Sequence, residues 1–404
     1  MINSIRVKVN EVVAGSLVLE NSDYVFSYDK ECVERNLKDE AHHQVSLTMP
    51  PRIRSYVNEI NLHPIFEMHL PEGYLLSVIK KHFSKLKKLD DFGLLELMAP
   101  NINGRIGYDA LNKMVGSKTK ETDEHILLRD LLSPSSELLF SDLVARFALS
   151  SGLSGVQPKV LARVLDKATL SLTDYIVKSW GEDYPQLALN EYYCMLITKC
   201  AGVPVPEFYL SDDDKLFIMK RFDVTEDKKY LGFEDMCVLQ GKSCDDKYES
   251  TYEKVATTIK TFVSVKHKHS ALLNFFKILV INNLVKNGDA HLKNFGVLYS
   301  DFKDIKLAPA YDIVCTTAYI KNDIPALLMQ GSKKWFEQKA LLNFGVTVCD
   351  LSAKQASIAY EECVSAVKVV LVKIAQRIDK ETDADKQKIL DKIQEVFKGS
   401  ISSL

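Results

Sequence analysis

The sequence predicts an α+β chain whose strands crowd into its first half and whose second half is helical. Three observations carry this. Short β-prone runs at 5–9, 17–20 and 24–28, separated by Gly15 and by Asn21-Ser22-Asp23, have the pattern of a small antiparallel sheet. Further short runs at 160–165, 174–178, 207–210 and 216–222 continue the strand signal through the middle of the chain. Beyond residue 248 that signal nearly vanishes, and Tyr252, Val255, Ala256, Ile259, Phe262 and Val263, then Leu272, Leu273, Phe276, Leu279, Val280 and Asn283, recur at helical spacing.

The early elements follow in order. After the first sheet, helices are expected at about 73–88 and 90–98, and Gly104-Arg105-Ile106-Gly107 reads as a turn into another strand. The charged span 113–124 reads as a solvated connector. Ile126, Leu127, Leu131 and Leu132, then Leu138, Leu139, Leu143 and Val144, predict two amphipathic helices separated by Pro134. These shifts divide the chain into 1–120, 121–247 and 248–404. Pro185 is expected to open a helix that Gly202 ends, with Glu191 on it. A hairpin follows, turning through Asp212-Asp213-Asp214, which reads as a plain turn. Lys266-His267-Lys268-His269 reads as an exposed inter-helix loop, and 351–395 as two amphipathic helices broken near Glu381-Thr382-Asp383.

Composition excludes more than it assigns. With 404 residues, 46% of them hydrophobic and 26% charged, the chain is globular and long enough for two or three domains. A formal net charge of -2 and a pI near 6.5 give no global signature of nucleic-acid or membrane binding. The eight cysteines contain no C-x-x-C pair, so neither a zinc ribbon nor a dithiol motif is supported, and buried thiols are expected. The best apolar run, 275–285, is broken by Lys277, Asn282 and Asn283. With no charged-then-apolar leader either, a cytoplasmic location is the expectation.

Chemistry concentrates in Asn287-Gly288-Asp289-Ala290-His291-Leu292-Lys293-Asn294, followed by Pro309-Ala310-Tyr311-Asp312. Asp289 and Asn294 are five apart, the separation in the protein-kinase catalytic loop, where the Asp accepts the substrate proton and the Asn binds magnesium. Asp312 supplies a second metal-binding carboxylate. Magnesium prefers oxygen ligands, takes few from protein and leaves its remaining positions to phosphate and water, so this small set suffices. The alternative is that Asn287-Gly288 merely ends the preceding helix, with Asp289 and His291 as solvated loop residues.

Three upstream features agree with phosphoryl transfer. Ser150-Ser151-Gly152-Leu153-Ser154-Gly155-Val156-Gln157-Pro158-Lys159 resembles a phosphate-covering loop, since its glycines let backbone N–H groups approach phosphate oxygens and its serines add donors. A plain flexible loop is the alternative. Lys178, at a strand end, lies roughly where a kinase puts the lysine that grips the α- and β-phosphates; a solvated strand-end lysine is the other reading. Lys220-Arg221-Phe222-Asp223 lies where a kinase hinge would face adenine, with Asp223 near the ribose, or is simply a strand terminus.

Taken together, the chain resembles the HipA-type serine/threonine kinases, the toxins of bacterial toxin–antitoxin pairs. The resemblance spans nearly the full length. It rests on 66–73 and Gly104-Arg105-Ile106, on Ser154-Gly155-Val156-Gln157-Pro158-Lys159, Lys178 and Arg221-Phe222-Asp223, and above all on Asp289-Ala290-His291-Leu292-Lys293-Asn294 and Tyr311-Asp312. It implies a two-lobed protein-kinase-like fold, with an extra N-terminal subdomain, a mixed α/β N-lobe, a helical C-lobe, and ATP and Mg2+ in the cleft. It also implies that Asp289 is the base, assisted by His291, and that Asn294 and Asp312 hold metal. Ser154, Gly155, Val156, Lys178, Arg221, Phe222 and Asp223 are then the ATP-binding set.

The implied substrate is a protein serine or threonine on an aminoacyl-tRNA synthetase or other translation factor, phosphorylated by a growth-inhibiting toxin linked to persistence. The implied partner is a small helix-turn-helix antitoxin, through which alone DNA would be contacted. Gly152 stands where the best-known member has its regulatory serine, leaving Ser154 as the candidate for autophosphorylation. Two other functions compete: a nucleotide-binding adaptor or co-repressor that docks a DNA-binding partner, and a small-molecule kinase.

Overall fold

The structure is a computed structural model and describes residues 3–38, 43–73, 76, 77, 79, 90–99, 102, 104–110, 126–133, 139–147, 159–166 and 171–402. The phosphate-loop residues Ser154, Gly155 and Val156, most of the expected helix at 73–88, the connector 113–124 and Pro134 lie outside these residues. The chain forms two compact units: 1–178 with 223–246 and 298–303, and 179–222 with 247–297 and 304–404.

In the first unit, the strands Asn3–Val9, Val12–Glu20, Asp23–Tyr28, Tyr56–Asn58 and Ile106–Ala110 form an antiparallel sheet, with Tyr56–Asn58 and Ile106–Ala110 at its edges. Strict alternation along Asp23–Tyr28 buries Tyr24, Phe26 and Tyr28 on one face. Phe26 meets Phe66 at 5.3 Å between ring centroids, and Phe66 meets Tyr108 at 6.3 Å, so the 66–73 segment begins in this core. Asp90 caps the helix Asp91–Met98 by accepting from the Gly93 N–H at 2.8 Å, as a short acceptor at that position should.

A second group of strands in this unit pairs Lys159–Asp166 antiparallel with Ser171–Lys178. Ile126 and Leu127, expected to begin a helix, instead form a short strand parallel to Val164 and Leu165, and the helix starts at Leu128. Two residues cannot display a period, so neighbouring apolar helix positions absorbed them in the sequence reading.

The unit also contains a buried polar hub. Glu234 is fully buried and accepts from Ser46 Oγ at 2.7 Å, the Leu47 N–H at 2.8 Å and Tyr299 Oη at 2.5 Å. Arg105 donates to Tyr299 Oη at 3.3 Å and to the Gln44 carbonyl at 2.8 Å, giving the Gly104-Arg105-Ile106 motif a structural role. Burial raises the Glu234 carboxyl above its ordinary range, against the lowering effect of these hydrogen bonds and of the Arg105 charge.

The second unit is mostly helical: Leu187–Cys200, Tyr252–Phe262, Val265–Leu284, Gln338–Thr347, Ala353–Ile378 and Ala384–Ser402, with the hairpin Phe208–Leu210 and Phe217–Lys220. Phe275, Phe276, Phe344 and Phe397 are fully buried among them. Pro185 does not open its helix. Gln186, at φ 61°, is the N-cap, and Pro185 precedes it with its carbonyl accepting from Tyr319 Oη at 3.1 Å. Gly202 follows the helix end at φ 74°, a left-handed turn that suits glycine.

Two other expectations are corrected. Lys266 to His269 form the first turn of Val265–Leu284, not a loop, and His267 Nε2 lies 2.6 Å from Asp304 Oδ1. Of the acidic triplet, Asp214 is buried and paired with Arg377 at 2.6 Å and Lys386 at 2.7 Å, tying the turn to the last two helices. Six cysteines are buried, Cys244 is half-buried and Cys200 is exposed; all are free thiols. Among the described residues, no helix is long and apolar enough to cross a membrane.

Candidate active site

The long helix ends at Leu284, and its stop signal is not the glycine. Val285 is the C-cap and Lys286 takes the left-handed conformation at φ 57°, so Asn287-Gly288 serve another purpose. Asn287, 1% exposed, donates to Asn282 Oδ1 at 2.9 Å and accepts from the Asp289 N–H at 3.1 Å. A buried amide that joins the side chain of the preceding helix to the backbone of the loop fixes the loop. The Gly288 N–H donates to Thr316 Oγ1 at 2.7 Å, and that hydroxyl donates to the Lys286 carbonyl at 3.0 Å. A Cβ on Gly288 would fall 2.0 Å from Asp323 Oδ2, so close approach is what requires glycine here.

The loop then makes a short 3-10 turn, Leu292–Asn294, which brings the candidate metal ligands together. Asn294 Oδ1 accepts the His291 N–H at 3.1 Å, and its Nδ2 donates to Asp312 Oδ2 at 3.1 Å. Asp312 sits at φ 60°, a left-handed conformation that Asp tolerates better than most residues. The residue beside it, Tyr311, donates its hydroxyl to the Lys293 carbonyl at 2.7 Å and stacks on Phe222, centroids 5.3 Å apart and planes at 29°. Farther along, the Cys315 backbone and the Asn190 side chain exchange two hydrogen bonds, at 2.8 and 3.0 Å. Burial pushes the Cys315 thiol up to about 11, so it is a neutral S–H at neutral pH.

Asp289 projects from this frame with its side chain about half exposed, 3.9 Å from His291 Nε2, beyond hydrogen-bond range. Its Oδ1 accepts a hydrogen bond of 2.7 Å from Tyr248 Oη. Asp289, His291, Asn294 and Asp312 thus belong to one frame in the second unit, with Arg221 and Phe222 in the same unit. Lys178 and Asp223 belong to the first unit. Lys178 ends its strand opposite Lys159 and is buried, while the Asp223 carbonyl accepts the Leu231 N–H at 2.8 Å.

A divalent cation fits the donor set. Asn294 and Asp312 lie side by side and each carries a hard oxygen donor: Asn294 turns its Nδ2 to Asp312 Oδ2, and its Oδ1 keeps a second lone pair beside the one facing His291. No cluster of three or more His, Cys, Asp or Glu that could hold a metal occurs among the described residues. The supporting residues Asn190, Tyr248 and Thr316 gave no signal as site members in the sequence. Asn287 and Tyr311 lie inside the quoted motifs, which carried no hint of their supporting roles.

Comparison with known proteins agrees along the chain. A family profile described as the HipA-like C-terminal domain matches residues 151–371, and one described as the HipA N-terminal domain matches 5–109. The Sinorhizobium fredii protein named "Putative kinase Y4dM" is 26% identical over 352 residues, covering 80% of each chain. A Haemophilus influenzae protein named "Putative kinase" is 30% identical over 187 residues, which cover 41% of this chain and 53% of that one. Among solved structures, a chain from the Shewanella oneidensis toxin–antitoxin complex of HipA, HipB and operator DNA superimposes with a TM-score of 0.69. It does so at 17% identity, covering 99% of this chain and 97% of that one. At that identity the likeness shows the fold: α+β, two-lobed and kinase-like.

Proposed function

Because the chain belongs to the HipA family, we propose that it is an ATP- and magnesium-dependent serine/threonine protein kinase. The observation that carries this reading is the Asn294–Asp312 contact on a loop that presents Asp289 five residues before Asn294. In this reading Asp289 takes the proton of the acceptor hydroxyl, and Asn294 and Asp312 hold magnesium. A magnesium ion held by Asn294 and Asp312 would supply positive charge to the phosphates of ATP. His291 packs beside the base and its backbone orients Asn294. Lys178 contacts the phosphates, and Arg221, Phe222 and Asp223 bind the nucleoside. Ser154, Gly155 and Val156 cover the phosphates, with Ser154 the candidate autophosphorylation residue. The division 1–120, 121–247 and 248–404 is proposed as N-terminal subdomain, N-lobe and C-lobe.

The acceptor is proposed to be an aminoacyl-tRNA synthetase or other translation factor, so that phosphorylation arrests growth in the cytoplasm. A helix-turn-helix antitoxin is the proposed partner; the Shewanella complex, which contains HipB and operator DNA, supports this by likeness. The test is transfer of labelled phosphate from ATP into a bacterial lysate by the parent and by Asp289→Asn. A single labelled protein band that falls by about 10²- to 10⁴-fold in the variant is expected, because the base acts on the nucleophile. Labelled small molecules would instead identify a small-molecule kinase, no labelling an adaptor, and transfer at the parental rate by the variant would remove Asp289 as base.

A further inference from the structure

The carboxylate of Asp289, the proposed base, already holds a hydroxyl of the protein itself. Tyr248 Oη donates to Asp289 Oδ1 at 2.7 Å, the separation expected of an O–H···O bond. The donor reproduces what an acceptor serine or threonine offers before its proton is taken: a neutral O–H directed at the carboxylate. The Tyr248 ring stands edge-on to His291, centroids 5.1 Å apart and planes at 82°. Behind it the chain is anchored, since the Leu328 N–H donates to the Ser250 carbonyl and the Tyr252 N–H to the Leu328 carbonyl. The phenol therefore arrives at Asp289 from a fixed segment.

Exposure separates a packing role from an occupying one. Tyr248 is 39% exposed and the Asp289 side chain 52%, so the bond is open to competition from solvent-borne groups. We propose that Tyr248 occupies the acceptor-hydroxyl position on Asp289 in the resting protein. A substrate hydroxyl then displaces the phenol before transfer, in a subsite bordered by Tyr248 and His291. The proposal rests on the reading of Asp289 as base. It makes Tyr248 a brake on transfer to poor acceptors, including water, which lack further contacts to offset the lost bond.

The test is Tyr248→Phe in the full chain, which keeps the ring beside His291 and removes only the O–H. With magnesium and ATP, and water as acceptor, ATP hydrolysis should rise on the order of tenfold or more, the equivalent of one hydrogen bond to a charged group. A rate equal to or below the parent's would show that Tyr248 only positions Asp289 and would overturn the proposal. So would phosphate found on Tyr248, which would make it an acceptor. A readout without turnover is the 13Cζ chemical shift of Tyr248, expected to move between the parent and Asp289→Asn; an unchanged shift means the bond is absent in solution. If Asp289→Asn abolishes hydrolysis while Tyr248→Phe gives no gain, only the placeholder fails. If Asp289→Asn hydrolyses ATP like the parent, the base assignment itself fails.

Discussion

Exchanging Asn294 for Asp tests the candidate metal site with almost no change of shape. In the parent, Asn294 Nδ2 donates to Asp312 Oδ2 at 3.1 Å. In Asn294→Asp two carboxylates face each other across the same gap. Unit charges ~4 Å apart repel by about 1 kcal/mol in water and about 4 kcal/mol at an effective dielectric of ~20. Both residues are half-buried, which places the variant between these limits. Loss of the amide donor adds about 1 kcal/mol. A destabilisation of about 2–5 kcal/mol corresponds to a fall in Tm of roughly 4–20 °C for a unit of roughly 200 residues. Magnesium should reverse much of it, since two facing carboxylates bind a divalent cation better than one and a ligand at 100 times its Kd contributes about 2.7 kcal/mol. The assay is thermal unfolding in chelator and in millimolar magnesium. A variant as stable as the parent in chelator would refute the contact, and one destabilised but no more responsive to magnesium than the parent would refute the cation site.

Three further outcomes are expected. Gly288→Ala should lower both transfer and stability, the latter by about 1–3 kcal/mol, because its Cβ would fall 2.0 Å from Asp323 Oδ2; adding Asp323→Ala should restore Tm if that contact is the cause. Asp214→Asn, which retains tolerance of the left-handed backbone at φ 62°, should cost about 1–3 kcal/mol by removing the charge shared by Arg377 and Lys386. Chemical denaturation measures this, and an unchanged midpoint would show the pairs contribute nothing.

Glu234 provides the pH test. Its folded pKa is raised by burial, so its contribution to stability is full below the unfolded value of about 4.5 and is lost as pH rises through the folded value. Glu234→Gln removes that loss. The Tm of the variant relative to the parent should therefore increase from pH 4 to pH 8, and parallel curves would contradict the raised value.

What the sequence determined by itself was what lies within a few residues of its own cause. The helical second half was legible because apolar residues recur with the helical period, and the interruption near Glu381-Thr382-Asp383 because Asp383 offers acceptors to the first turn of Ala384–Ser402. The proximity of Asp289, His291 and Asn294 was legible because they sit on one short loop, where spacing along the chain is nearly spacing in space. Tertiary structure alone decided what those residues meet. Tyr248 lies 41 positions from Asp289, Asn190 lies 125 from Cys315, Asp214 lies 163 from Arg377, and Ser46 lies 188 from Glu234. Such pairs have no period. A buried polar group must find a partner, yet nothing local says which distant segment folding will bring to it. For the same reason Asp214 reads as no more than a turn residue, and Asn287-Gly288 admit a helix stop as the alternative reading, until the helices around them are in place.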